Sequence, residues 1–348
     1  MTGQESFRLQ SFIGVQTNLH KNSSCRTLAL DSLSTKENSH LTYKFIDLFA
    51  GIGGVRLGFE RNGMQCVFSS EWDKAAQDTY EANFGERPHG DITKIDASEI
   101  PDHDVLTGGF PCQPFSIIGE GKGFSDTRGT LFFDIERILK EKRPRAFMLE
   151  NVKQLKSHDG GRTLEVILEH LTNLGYKVHW KILNGLDFGV PQKRERILIV
   201  GFQDDVFFQF PEPNTLKRRS LQDVLEPDED VDAKHYLSPV IRDSVQQRAK
   251  SNPERPAIWH ENKSGNIGIH DFSCALRAGA SYNYLTVNGE RRLTPREMLR
   301  LQGFPDTFKI VVPDTQIRKQ CGNSVVVPKI EQVAKAIKEA LNLHDSKL

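Results

Sequence analysis

The chain has 348 residues, and its 46 Lys and Arg balance its 46 Asp and Glu, so its formal net charge is zero at pH 7. Hydrophobic residues make up 37% and charged residues 26%, which is ordinary for a globular protein with one large and one smaller domain. Because basic residues do not outnumber acidic ones, the composition argues against a protein that coats DNA non-specifically, although basic residues could still line one cleft. No apolar run approaches the roughly 20 residues that span a bilayer, so we expect no membrane association.

Five scattered cysteines indicate a reducing compartment. They form no CxxC pair, and no His cluster has the spacing of zinc ligands, so we expect a cytoplasmic protein without disulfides or a metal site. The simplest interpretation of any one of them is a small buried hydrophobic residue, which we keep for all but Cys112. The five are Cys25, Cys66, Cys112, Cys274 and Cys321.

The order of predicted elements indicates an α/β fold. Residues 1–42 are rich in Ser, Thr, Asn and Lys, which predicts a poorly ordered extension. Between residues 43 and 203, apolar runs alternate with helix-like stretches, which predicts a doubly wound, mostly parallel sheet whose ligands bind beyond the carboxyl ends of the strands. The runs are 44–49, 65–69, 105–107, 146–149, 176–182 and 196–202, and the helical stretches are 55–61, 74–84, 131–141 and 163–174.

The composition changes after Gln203. Residues 204–290 contain Pro-rich loops, an acidic run that begins at Glu226, and short pieces without a clear period, so we predict a second, loop-rich domain there. The sequence Thr-Pro-Arg-Glu from Thr294 predicts a helix start, with Thr as the cap and Pro in the first turn. A last helix is predicted over 328–343.

Three features at predicted strand ends suit a nucleoside ligand. The first strand runs into Gly51 and Gly53, which let a ligand approach the backbone at a helix N-terminus, although many such loops only make a tight turn. Glu71, after the second strand, could bind ribose hydroxyls or could be a solvated carboxylate, and Asp91 could accept from an adenine amino group. The loop lacks the GxGxxG spacing of the dinucleotide fingerprint, and these features leave NAD and S-adenosylmethionine both open.

Cys112 is the candidate nucleophile. It follows the strand at 105–107, after two glycines, and lies between Pro111 and Pro114, which fix the loop and hold the thiol in place. The alternative is a core cysteine in a turn. Glu150 ends a neighbouring strand, and a thiol and a carboxylic acid at one sheet edge could together attack and protonate a heterocycle.

An alternating polar sequence precedes the strand at 196–202. If the segment is extended, Gln192, Arg194 and Arg196 lie on one face. On their own, alternating charges are more typical of a solvated strand edge.

Taken in order, these motifs resemble those of the cytosine-C5 DNA methyltransferases, the family that supplies the modification enzyme of many bacterial restriction systems. The match runs from Phe45 to about Lys329, and so many ordered blocks do not agree by chance. The blocks are the FxGxG loop (Phe49, Gly51, Gly53), Glu71-Trp72, Asp91, Pro111-Cys112-Gln113, Glu150-Asn151-Val152, Gln192/Arg194/Arg196, Thr294-Pro295-Arg296-Glu297, Gln302-Gly303-Phe304-Pro305 and Gly322-Asn323-Ser324-Val325.

The resemblance implies the Rossmann-like fold of S-adenosylmethionine-dependent methyltransferases and a DNA (cytosine-5-)-methyltransferase activity. It implies that the Cys112 thiolate attacks carbon 6 of cytosine and that Glu150 protonates nitrogen 3, while Arg196, with Arg194, anchors the base and the Glu150 carboxylate. Carbon 5 then takes the methyl group of S-adenosylmethionine, leaving S-adenosylhomocysteine, and loses its proton as the thiol is expelled. The base must first be flipped out of the duplex.

The resemblance also assigns binding residues. It implies that 314–348 returns to the catalytic domain at 43–203 and that 204–313 is a target-recognition domain, with the loops 217–219 and 277–284 as candidate DNA contacts. Further candidates for DNA are Gln192 and, in a glycine-rich loop that suits a lid, Ser116 and Arg128. The implied cofactor site comprises Phe49, Gly51, Gly53, Glu71, Trp72, Asp91, Ile92, Pro111, Asn323 and Ser324.

Double-stranded DNA is the expected partner, and we expect a bacterial monomer that is paired in function with a restriction endonuclease without contacting it. The main alternative is a transfer-RNA cytosine methyltransferase of the eukaryotic branch, but the sequence lacks that branch's Cys-Phe-Thr signature, and the region 204–290 favours a DNA reader. A catalytically inactive binding protein would not need Cys112, Glu150 and the two arginines, and a nicotinamide oxidoreductase would not need Pro-Cys-Gln.

Overall fold

The computed structural model describes residues 42–110, 131–213, 218–249, 254–281 and 283–347. The predicted extension at 1–42 falls almost wholly outside these ranges. Pro111, Cys112, Ser116 and Arg128 also lie outside them, so their predicted roles rest on the sequence alone.

Every strand and helix that the sequence predicts between residues 43 and 203 is present, with ends that differ by at most three residues. The described strands are β1 (Lys44–Leu48), β2 (Gln65–Ser70), β3 (Val105–Gly109), β4 (Ala146–Val152), β5 (Lys177–Asn184), β6 (Gln192–Lys193), β7 (Glu195–Phe202), β8 (Ile258–Glu261), β9 (Ile267–His270), β10 (Ser273–Cys274), β11 (Leu285–Val287) and β12 (Arg291–Arg292). The described helices are α1 (Gly54–Glu60), α2 (Lys74–Phe84), α3 (Leu131–Lys142), α4 (Arg162–Asn173), α5 (Pro239–Arg248), α6 (Pro295–Leu301), α7 (Asp314–Asn323) and α8 (Val327–Asp345).

The main sheet has the strand order β2-β1-β3-β4-β7-β5. The pairs from β2 to β4 are parallel, whereas β7 is antiparallel to both β4 and β5. The connection from β5 to β7 is too short for the helical crossover that a parallel pair needs, so the chain turns back on itself there. The predicted α/β fold with a mostly parallel sheet is confirmed.

Both faces of this sheet are buried under helices, as in a doubly wound fold. Side chains alternate along a strand between the two faces. On one face the strand residues pack against α1 and α8, and the apolar cluster there includes Phe45, Val105, Met148, Leu198, Val55, Phe59, Ile330 and Val333. On the other face they pack against α3 and α4, and that cluster includes Ile46, Leu106, Phe147, Ile199, Ile135 and Ile167.

The helices α1 and α8 pack closely, although most of the chain separates them. A Cβ atom built on Gly58 would lie 2.8 Å from Cγ2 of Ile330, so no larger residue fits at this crossing. The Asn62 side-chain nitrogen donates to the carbonyl oxygen of Glu331 at 2.9 Å. At the start of the sheet, the Tyr43 hydroxyl donates to Asn342 at 2.9 Å.

A smaller antiparallel sheet, in the order β12-β11-β8-β9, lies in the second half of the chain. Its strands are two to four residues long, and the four residues of β9 are all half-buried, so no period of two is visible in the sequence. Our description of this region as irregular pieces missed these strands and α5.

The predicted helix start at Thr294 is confirmed. The Thr294 hydroxyl accepts from the backbone nitrogen of Glu297 at 3.2 Å, and the Glu297 carboxylate accepts from the backbone nitrogen of Thr294 at 2.8 Å. This reciprocal pair is a capping box at the start of α6. In the described parts of the chain, no helix combines the length and apolar character needed to cross a bilayer.

Candidate active site

The carboxyl ends of β1 and β2 hold Glu71 beneath the glycine loop. Its two carboxylate oxygens accept from the backbone nitrogens of Gly51 and Asp73, each at 2.8 Å. Burial raises the pKa of Glu71, and these two N–H groups partly offset the effect by stabilising the charged form. The acid is therefore fixed in place beside the loop.

The glycine loop has an unusual backbone. Phe49 adopts φ 57°, in the left-handed region that a bulky residue rarely occupies, which is typical of functional sites. Gly51 has φ 56°, and a Cβ atom built there meets nothing within 4 Å, so the backbone faces open space. At Gly53, by contrast, φ is 79° and a Cβ atom would lie 2.2 Å from the ring of Phe84, so a larger residue would require that ring to move.

Three other predicted cofactor residues, Asp91, Ile92 and Ser324, lie close to the same strand ends. The Glu71 backbone nitrogen donates to the carbonyl oxygen of His89 at 2.8 Å, and this bond brings the loop with Asp91 and the buried Ile92 next to the end of β2. From the far end of the chain, Ser324 Oγ lies 2.8 Å from a Cβ atom built on Gly54.

The open space at these strand ends suits a nucleoside. The indole of Trp72 is 78% exposed, although tryptophan is normally well buried, and it directly follows the fixed carboxylate of Glu71. An exposed aromatic face, a fixed carboxylate and a bare backbone at Gly51 are the groups that an adenine, a ribose and a close ligand would use. The residues present therefore fit S-adenosylmethionine. The Asp91 carboxylate, however, caps its own turn, accepting from Thr93.

Glu150 and Arg196 meet at the carboxyl end of β4. Glu150 lies within β4, which runs three residues beyond the end of the predicted strand at 146–149. Arg196 Nε is 3.1 Å from Glu150 Oε1, and both side chains are largely buried. The contact is an ion pair without hydrogen-bond geometry, since Oε1 has no hydrogen bond within the described residues.

The carboxyl end of β4 also contacts the last described residues before Cys112. A Cβ atom built on Gly109 would lie 3.9 Å from Glu150 Oε2. The side-chain nitrogen of Asn151 donates to the carbonyl oxygen of Phe110 at 2.9 Å. Glu150 therefore lies beside the end of β3, and in the sequence Cys112 comes two residues after Phe110.

Arg194 is fully buried and holds three segments together. Its guanidinium donates to the carbonyl oxygens of Leu276 at 2.8 Å, Gly322 at 2.9 Å and Ser324. Burial lowers its pKa to about 9, and the charge of Arg196 adds to the effect. The described contacts of Arg194 therefore connect the residue before β7 to Leu276 and to the segment before α8.

Gln192 is fully buried as well. Its side-chain nitrogen donates to the carbonyl oxygen of Leu301 at 2.9 Å, and its side-chain oxygen accepts from the backbone nitrogen of Leu276 at 3.2 Å. A contact between Gln192 and DNA would require these bonds to break. In the other candidate DNA segments, Arg277 stacks 4.6 Å from the ring centroid of Tyr284, and Arg218 pairs with Asp271 at 2.5 Å.

Two buried ionisable residues escaped the sequence analysis, namely Asp47 in β1 and Lys329 in α8. Burial is the main cause that moves the pKa of each to about 7, upwards for Asp47 and downwards for Lys329. Asp47 Oδ2 and Lys329 Nζ have no hydrogen-bond partner in the described parts of the chain. The sequence contains one signal for each residue. Asp47 is a charged residue inside an apolar strand, and Lys329 lies on the same helix face of α8 as Ile330 and Val333.

Comparison with known proteins identifies the family. The family described as C-5 cytosine-specific DNA methylase matches residues 43–339. The chain is 61% identical over 293 residues to the Type II methyltransferase M.NgoBI of Neisseria gonorrhoeae, a match that covers 84% of this chain and 92% of the relative. It is 58% identical over 306 residues to M.HaeII of Haemophilus aegyptius, covering 88% and 96%.

Solved structures agree on the fold. The Dnmt2 methyltransferase of S. pombe is 19% identical, has a TM-score of 0.67, and covers 86% of this chain and 99% of its own. At that identity the likeness shows the fold alone, so the family rests on the sequence match, which spans most of the chain. The chain belongs to the family of C-5 cytosine-specific DNA methylases, enzymes that methylate DNA cytosine at carbon 5.

Proposed function

We propose that this protein methylates cytosine in double-stranded DNA through a covalent adduct on Cys112. The observation that carries the proposal is the Glu150 carboxylate, paired with Arg196 at 3.1 Å beside the strand that leads to Cys112. A carboxyl group and a thiol at one sheet edge can protonate and attack the same ring. The relatives named Type II methyltransferases support the further proposal that the methyl group protects host DNA from a cognate restriction endonuclease.

In the proposed reaction, the Cys112 thiolate forms a bond to carbon 6 of a flipped-out cytosine while Glu150 donates a proton to nitrogen 3. The ring electrons then make carbon 5 nucleophilic. When bound, S-adenosylmethionine supplies the methyl group that carbon 5 takes. Carbon 5 loses its proton to solvent, the bond between carbon 6 and sulfur breaks, and the nitrogen 3 proton returns to Glu150.

The two arginines have different proposed roles. Arg196 lies against Glu150, and we propose that it also binds the cytosine. Arg194 donates to three backbone carbonyls in two other segments, which supports a positioning role that keeps β7 and Arg196 in place. The hydrogen bonds of the buried Arg194 guanidinium offset the cost of removing its charge from water.

For the cofactor, Glu71 would bind the ribose and Trp72 would lie beside the adenine. Asp91 and Ile92 would contact the adenine edge. The carboxylate of Glu71, fixed by two backbone N–H groups, supports this assignment because an ionised acid accepts from two hydroxyls at once. The remaining proposed contacts are Phe49, Gly51, Gly53, Pro111, Asn323 and Ser324.

For DNA, we keep Ser116, Arg128 and Gln192 as proposed contacts and 204–313 as the domain that reads the sequence. Arg277 and Arg218 are candidates within it. We further propose that the enzyme acts as a monomer in the bacterial cytoplasm. The chemistry requires the cytosine to leave the stacked duplex before Cys112 can reach carbon 6.

DNA that contains 5-fluorocytosine tests the adduct, because fluorine at carbon 5 cannot leave as a proton. The wild type should form a covalent complex in the presence of S-adenosylmethionine, and Cys112→Ser should form none. Cys274→Ser is the matched control and should react normally, since burial raises the pKa of that thiol and keeps it protonated. A complex that persists in Cys112→Ser would contradict the proposal, and so would bisulfite sequencing that finds no methylated cytosine in DNA of an expressing host.

A further inference from the structure

Asp73, the residue after Trp72, makes three contacts beside the proposed cofactor site. Its backbone nitrogen donates to Glu71 Oε1 at 2.8 Å. Its Oδ1 atom accepts from the backbone nitrogen of Ala76 at 3.0 Å and so caps α2. Its Oδ2 atom pairs at 2.6 Å with Nζ of Lys319 in α7, which lies 246 residues later in the chain. Asp73 therefore connects the Glu71 carboxylate to both α2 and α7.

The backbone that carries Lys319 is held by the residues around it in α7. The buried Gln320 side chain accepts from the Thr79 hydroxyl at 3.1 Å and donates to the carbonyl oxygen of Ala75 at 2.9 Å, so α7 is fixed against α2. Near the end of the helix, a Cβ atom built on Gly322 would lie 2.2 Å from the backbone nitrogen of Ala278. Because these contacts fix the backbone of α7, only the side chain of Lys319 must be ordered to reach Asp73.

The ion pair of Lys319 and Asp73 is poorly placed to stabilise the fold. The Lys319 side chain is 50% exposed and that of Asp73 is 26% exposed. Exposed ion pairs contribute little to stability, because water screens the charges and two side chains lose conformational freedom. The buried Gln320 already joins α2 to α7. The main effect of the pair is therefore local, on the turn that carries Glu71 and Trp72.

We propose that Lys319 is a positioning residue for the S-adenosylmethionine site: it holds Asp73, which in turn holds the Glu71 carboxylate and the turn that carries Trp72. The indole of Trp72 is 78% exposed, so the protein packs little against it, and its place depends on the backbone on either side. Without the amine, binding of the ligand would have to order this turn, which weakens affinity. This inference rests on the proposed binding of S-adenosylmethionine by Glu71 and Trp72.

Calorimetric binding of S-adenosylhomocysteine to the full-length protein tests the proposal. Lys319→Met keeps the length of the side chain without its charge, and it should weaken binding about three- to fivefold while the melting temperature stays unchanged. Lys319→Arg keeps the charge and should bind like the wild type. Lys335→Met removes an exposed cation from α8 and is the matched control, also with wild-type affinity. The loss in Lys319→Met should shrink as salt is raised from about 0.1 M to about 1 M, because salt screens an exposed pair.

A double-mutant cycle tests whether Lys319 acts through Asp73. Asp73→Asn keeps a side chain that can cap α2 and the backbone donor to Glu71, but it loses the ion pair, so it should weaken binding as much as Lys319→Met. The two changes combined should bind no worse than either alone.

Three results would overturn the role of Lys319 while leaving the proposed function intact. They are wild-type affinity in Lys319→Met, losses that add in the double variant, and failure of Lys319→Met to fold, since the pair is argued to matter little for stability. A wild type that does not bind S-adenosylhomocysteine refutes the proposed cofactor site, and the inference falls with it.

Discussion

Asp47, near the middle of β1, is a buried acid whose replacement by asparagine should stabilise the protein above neutral pH. Its side chain is 1% exposed, Oδ1 lies 3.1 Å from Thr107 Oγ1, and Oδ2 has no hydrogen bond in the described structure. Burial raises its pKa from 3.8 to about 7, against the smaller opposing effects of Thr107 and Arg56. The folded protein therefore binds a proton at Asp47 that the unfolded chain releases.

The size of the effect follows from the two pKa values. Because the folded pKa is raised, the stabilisation is fully present below pH 3.8 and is lost as the pH rises through about 7. A difference of about 3 pKa units corresponds to roughly 4 kcal/mol at about 1.4 kcal/mol per unit. Asparagine cannot ionise, so its unfolding free energy lacks this loss. The difference in unfolding free energy between Asp47→Asn and the wild type should therefore grow by about 2 to 4 kcal/mol in favour of the variant as the pH rises from 5 to 8, the lower figure allowing for local relaxation.

Urea denaturation of the wild type and Asp47→Asn at pH 5, 6.5 and 8 measures this difference. Asp102→Asn is the control, because its side chain is 98% exposed and should show no such trend. If the difference in unfolding free energy between the wild type and Asp47→Asn is the same at pH 5 and pH 8, Asp47 is not held as a neutral acid and the reasoning is refuted.

Two further variants test the strand ends. Glu71→Gln should weaken S-adenosylmethionine binding about 10- to 100-fold in calorimetry, since hydrogen bonds to a charged group contribute about 1.5–3 kcal/mol. Because burial raises the pKa of Glu71, the affinity of the wild type should also decrease as the pH is lowered and the carboxylate is protonated. Unchanged binding in the variant would exclude Glu71 from the site. Gly322→Ala should lower the melting temperature by several degrees, because its Cβ atom would lie 2.2 Å from the backbone nitrogen of Ala278. Gly279→Ala faces open space and should melt like the wild type, so equal melting of the two variants would contradict the packing argument.

The predictable part of the fold is the part with strong local signals. Buried parallel strands appear as largely apolar runs, so β1 and β4 are visible in the sequence, and the α6 start is fixed by side-chain chemistry within four residues. The strands β8 and β9 have four residues each, and their burial depends on distant parts of the chain. No short window of sequence contains that information.

The candidate site divides in the same way. Residue types and order predict Glu71 and Glu150 at strand ends, because the sheet topology brings those ends to one edge. The pairing of Glu150 with Arg196 follows from the antiparallel register of β4 and β7, which sequence alone does not supply. The burial of Arg194 and Lys329 depends on segments more than 80 residues away, such as the carbonyl of Leu276 that Arg194 binds.

The contact between Gly58 and Ile330 also has a consequence for the protein's synthesis. A ribosome makes the N-terminal part first, so α1 leaves the ribosome long before α8 exists, and the apolar face of α1 stays without its partner until α8 has been made. Until then the nascent chain exposes the apolar residues of α1 that α8 later covers, and exposed apolar surface of this kind favours aggregation.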